Sequence, residues 1–95
     1  MTLLEMIVPN ALKEVDKVAQ FGAKKHKGKL QEEGHDTLTQ IRINKAFGHL
    51  QDYEDNIIEE RISETNIDSE SKCHILAHSI LQECFILESE LKKNS

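Results

Sequence analysis

Glu70-Ser71-Lys72-Cys73-His74-Ile75-Leu76-Ala77-His78-Ser79-Ile80-Leu81-Gln82-Glu83-Cys84-Phe85-Ile86-Leu87-Glu88-Ser89-Glu90-Leu91 contains neither Gly nor Pro. Ile75, Leu76, Ala77, Ile80, Leu81, Cys84, Phe85, Leu87 and Leu91 recur through it at helical spacing. They fill more than one narrow stripe, which predicts a helix buried on two sides. Asp68 or Ser69 is the expected cap. Glu70, His74, His78 and Gln82 follow at intervals of four, so an unbroken helix sets them in one polar row.

Upstream, Thr37 and Gln40 have the spacing of a capping box and predict a helix from about Leu38 to Ile62. Its expected apolar side is Leu38, Ile41, Phe47, Leu50, Ile57, Ile58 and Ile62, with Ala46 and Tyr53 beside it. Pro9 and Asn10 start another helix, where Ala11, Leu12, Val15, Val18, Ala19 and Gly22 repeat at helical spacing. Met1–Val8 reads as an apolar arm or a single helical turn. His26–Asp36 reads as a Lys- and Gly-containing loop, and Ser63–Ile67 as a short link. The expectation is one all-α domain over residues 1–95: a three-helix chain whose bundle is completed by homo-oligomerisation.

The composition suits a soluble globular domain, with 38% hydrophobic and 31% charged residues, one Pro and four Gly. The net charge is −5, and the basic cluster Lys24, Lys25, Lys27 and Lys29 is small. That balance argues against duplex nucleic acid as a partner. No apolar run approaches the ~18 residues that cross a membrane. Met1–Asn10 carries no basic start or cleavage site, so the expected location is cytoplasmic. On one continuous helix Cys73 and Cys84 would lie roughly 16 Å apart, beyond disulfide reach. Two reduced, buried thiols are expected.

The chemistry resides in two polar rows. Lys45, His49 and Asp52, with Asn56 one turn further, lie on the second helix much as Glu70, His74, His78 and Gln82 lie on the third. Facing rows of carboxylates and imidazoles are how helical bundles hold metal ions. The plainer alternative is that such histidines are boundary residues bonded to their neighbours. Glu54, Asp55, Glu59, Glu60 and Glu64 read as solvated helix surface. Gly22-Ala23-Lys24-Lys25-His26-Lys27-Gly28 fits either a helix end favoured by cations or a loop that lets backbone approach a phosphate. No phosphate-binding loop, nucleophile elbow or C-x-x-C is present.

Four short stretches carry a resemblance. They are Phe21-Gly22-Ala23-Lys24-Lys25-His26, Lys45-Ala46-Phe47-Gly48-His49-Leu50, Asp68-Ser69-Glu70-Ser71 and His74-Ile75-Leu76-Ala77-His78. In this order, over roughly 11–91, the chain resembles the phage-associated dATP/dGTP diphosphohydrolase N-terminal family, which is grouped with the MazG-like all-α nucleotide pyrophosphohydrolases. The resemblance implies hydrolysis of a purine dNTP to dNMP and pyrophosphate with Mg²⁺ or another divalent metal. It implies Glu70, His78 and Asp68 as catalytic residues, and Lys24, Lys25, His26, Lys45, His49, His74 and Gln82 as substrate contacts. The metal set is Asp68 and Glu70, joined by Asp52 from the facing row. The chain departs from the family pattern at Gly48, where an Arg is usual, and at Gln82, where an Asn is common. Those departures suit an alternative, a phage or prophage protein that binds or sequesters a nucleotide or nucleotide-derived signal without turning it over. A third reading is a helical protein-interaction module.

Overall fold

The computed structural model of the chain describes residues 1–25, 35–59 and 66–93, with the first four residues of the middle span described by backbone only. The fold is all-α. Among the described residues there are four helices: α1 (Leu3–Ile7), α2 (Pro9–Lys25), α3 (His35–Ile58) and α4 (Ile75–Lys93). None of them is long and apolar enough to cross a membrane.

α1 is one element more than the three expected. Thr2 and Glu5 form a reciprocal capping box that closes this single turn. Its side chains reach no core, with Leu3, Leu4, Met6 and Ile7 all mostly exposed. α2 starts at Pro9, whose missing N–H costs nothing in a first helical turn. Val18 is its buried residue, and it clusters with Cys73 and Ala77 while Val15 and Leu81 pack around them.

α4 is the central element and packs against both α3 and α2. Small residues make the α3–α4 approach close. Buried Ser79 donates from Oγ to the Ala46 carbonyl at 2.9 Å, and Ala46 itself is buried. The inward line of α3 is Ile43, Ala46, His49, Tyr53 and Asn56, so it mixes polar with apolar side chains. Ile41, Phe47, Leu50, Ile57 and Ile58 are exposed instead of forming the buried side their hydrophobicity predicts.

Three expected boundaries are corrected. α3 begins at His35, so Thr37 lies within the helix, and the Gln40 side chain donates to Asn44 rather than reaching back to a cap. The Lys/Gly loop, with His26, Gly28 and Gly34, falls outside the described residues apart from its last two positions, which open α3. α4 begins at Ile75, five residues later than its hydrophobic pattern predicts. Asp68 does act as a cap, accepting from the Ser71 N–H at 2.7 Å, but the turn it starts is closed at once. Lys72 takes φ 62°, a left-handed conformation that stops a helix, and Cys73 returns its carbonyl to the Asp68 N–H at 2.8 Å. His74 then caps α4, its Nδ1 accepting from the Leu76 N–H at 3.0 Å. The two thiols are free as expected, but Cys84 is exposed and only Cys73 is buried.

Candidate functional site

The break at Lys72 divides the polar row. His78 and Gln82 remain on α4, one turn apart, while Glu70 and His74 lie in the preceding loop. His74 is drawn to the other side: its N–H donates to Glu14 Oε2 at 2.9 Å and its ring lies 5.8 Å from Tyr53. That bond to the His74 N–H is the main reason the Glu14 carboxyl is held below its usual range.

A cleft of about 260 Å³ nevertheless gathers most of the predicted residues. α2 supplies Lys25, α3 supplies Lys45 and His49, the capped turn supplies Asp68 and Glu70, and α4 supplies His78 and Gln82. Phe21, Leu81 and Phe85 form its apolar wall. Lys24 is exposed at the end of α2 and does not line the cleft, and neither do His74 and exposed Asp52. His26 lies outside the described residues.

Inside the cleft His49 and His78 face each other, ring centroids 5.0 Å apart. Burial holds the His78 imidazole below its ordinary value, and His49 adds to this, while Asp68 and Glu70 pull the other way. Asp68 is held below the usual carboxylate range, chiefly by the Ser71 N–H. Its Oδ2 is 3.8 Å from His78 Nε2. Lys25 Nζ meets Glu70 Oε1 at 2.9 Å across the mouth, with both side chains more than half exposed. Such an exposed pair contributes little net stability, so an incoming anion can displace the carboxylate from the lysine.

Ser71 is the residue that helical spacing could not reveal. Its Oγ lies 2.7 Å from His78 Nε2 and accepts the Cys73 N–H at 3.2 Å. The serine proton is therefore left for Nε2, which requires a neutral imidazole and agrees with the lowered His78 affinity for protons. This is not a nucleophile with its base. Ser71 does not line the cleft, and Asp68 approaches the same ring nitrogen instead of steadying the opposite one. Ser71 is a positioning residue that ties the capped turn to α4. The readable signal was Asp68 three residues before it, the spacing of an Asx turn.

Among the described residues no three His, Cys, Asp or Glu side chains come together as a ready metal cage. Two carboxylates, Asp68 and Glu70, do line the cleft beside two lysines. That donor set fits Mg²⁺ carried in on phosphates, an ion that takes one or two protein carboxylates and fills its remaining positions with water and phosphate oxygens. No protein-family model, curated protein or solved structure gives a significant match to the chain.

Proposed function

We propose that this chain binds a nucleoside triphosphate of the purine deoxynucleotide class in the α2–α3–α4 cleft. One observation carries the reading: three helices and the capped turn converge Lys25, Lys45, His49, Asp68, Glu70, His78 and Gln82 on one opening. Lys25 and Lys45 meet the phosphates, His49 and His78 lie beside them, and Phe21 and Phe85 offer ring faces to sugar or base. Asp68 and Glu70 would hold a divalent ion that arrives with the nucleotide, and such an ion supplies neutralisation of phosphate charge. At about 260 Å³ the cleft is near the lower end of ligand sites, which suits a phosphate chain with the base at the mouth.

Hydrolysis to dNMP and pyrophosphate is the second reading. Its support is the family resemblance together with Asp68, ionised and lining the cleft beside neutral His78. The test is direct. Pure protein with dATP or dGTP and Mg²⁺ should bind nucleotide by calorimetry, and pyrophosphate release then separates an enzyme from a sequestering protein. Absence of binding by any purine dNTP, with or without Mg²⁺, contradicts both readings and leaves the interaction module.

A further inference from the structure

The other flank of the α3–α4 pair is apolar and bare. α3 carries Ile43, Phe47, Leu50 and Ile57, which fall at successive seam positions of a heptad repeat, with Glu54 at the one intervening position. α4 carries Ile80, Cys84, Leu87 and Leu91 at intervals of four, three and four, a second seam in heptad register. Phe47, Leu50, Ile57, Leu87 and Leu91 are each about half exposed or more. Between the helices runs a groove of about 480 Å³, floored by Ala46 and Ser79, with Glu83 and Glu90 on its rim.

We propose that a second copy of this chain docks on this flank, its α3 and α4 completing a four-helix bundle. Three observations select a second copy over other occupants. First, two adjacent helices each offering a heptad seam are half of a bundle, and a two-fold axis supplies the missing half from an identical surface. Second, within one chain the core is thin. The buried apolar residues among those described are Val18, Ala46, Cys73, Ile75 and Ala77, and no large side chain is fully buried. A chain of 95 residues buries too little apolar surface in this way to be more than marginal alone. Third, the area is sufficient. The exposed side chains of the two seams hold on the order of 500 Å² of apolar surface, the apolar share of a standard interface of about 800 Å² per partner. An anionic membrane is a poor occupant, because Glu54, Glu83 and Glu90 border the flank.

Sedimentation of the full chain from micromolar to millimolar concentration tests this, together with the variants Phe47→Glu and Leu87→Glu. Neither residue lines the polar cleft. The expected result is a dimer for the wild type and association weakened by at least about ten-fold in each variant. Cys84, exposed in the single chain, gives a second readout that needs no variant to fold. Its thiol should react more slowly as wild-type concentration rises, while Cys73 stays slow throughout. A wild type that sediments as a monomer at every concentration overturns the proposal, and so does one that is monomeric but floats with phosphatidylcholine vesicles. Cys84 reactivity that is independent of concentration, or a dimer that both substitutions leave intact, overturns it as well.

Discussion

The two flanks of the α3–α4 pair differ in a way that runs against the usual partition of residues. The flank covered by α2 is the polar one, holding Lys45, His49, His78 and Gln82 with Asp68 and Glu70 from the capped turn. The uncovered flank is the apolar one, with Phe47, Leu50 and Leu87 open to solvent. A chain optimised only for its own core would do the reverse. Polar side chains sheltered among three helices are costly unless they meet a ligand, and bare apolar seams are costly unless they meet a partner. The difference therefore teaches where to look for each.

The sharpest way to break the comparison is to attack the one place where α2 holds the polar flank shut. Val18→Asp sets an unpaired carboxylate in the Val18–Cys73–Ala77 cluster. It should cost more than about 4 kcal/mol and leave no cooperative thermal transition by circular dichroism. Next in size, Lys25→Glu combined with Lys45→Glu should remove about 1.5–3 kcal/mol of charge-assisted bonding per lysine. Calorimetry should then find tripolyphosphate binding weakened by far more than about ten-fold with helicity unchanged, because both lysines are exposed. Retained binding would move the phosphates elsewhere.

Much of the fold was legible because the periodic signal was strong. Pro9 marked the start of α2, and the 3.6-residue pattern identified α3 and the body of α4. The start of α4 was not legible, since Ser71, Lys72 and Cys73 are ordinary helix residues by propensity. A left-handed Lys72 is fixed by the surrounding bonds from Asp68, Ser71 and Cys73, which are tertiary and invisible to spacing. The buried side of α3 was misjudged for a related reason. Hydrophobicity alone points to Phe47 and Ile57, whereas contact with α4 selects the small Ala46 and the polar Asn56, whose Nδ2 donates to Asn66 at 2.7 Å. Lys25, Lys45, His49, Asp68, Glu70, His78 and Gln82 were all named from the chain and do share one cleft. Asp52 and His74 were assigned by helical register, and one turn of register is enough to place them outside.

Smaller effects sharpen the polar side. Asp68→Ala removes the cap that closes the turn before α4 and should cost about 1 kcal/mol in a urea titration. The pH response follows from the same pair. His78 and Asp68 are both held below their ordinary values, so the stability each contributes is present at neutral pH. It is lost on acidification, for His78 as the pH falls from its ordinary 6.5 and for Asp68 only below its ordinary 3.8. The melting temperature should therefore begin to fall below about pH 6.5. Phosphate in the cleft favours the protonated imidazole, so nucleotide binding should tighten over the same interval. The smallest change is a gain. Gly48 sits in mid-α3 with open space where a Cβ would be, so Gly48→Ala should stabilise by about 0.5–1 kcal/mol.

The central claim is that the sheltered polar flank, and not the apolar one, takes the nucleotide. Amide and imidazole NMR shifts of the full chain, followed while dATP is added with Mg²⁺, test it on both flanks at once. The account predicts changes at Lys25, Lys45, His49, Asp68, His78 and Gln82, with Phe47, Leu87 and Leu91 unmoved. Shifts confined to the apolar seams, or none in the cleft at saturating nucleotide, would contradict it.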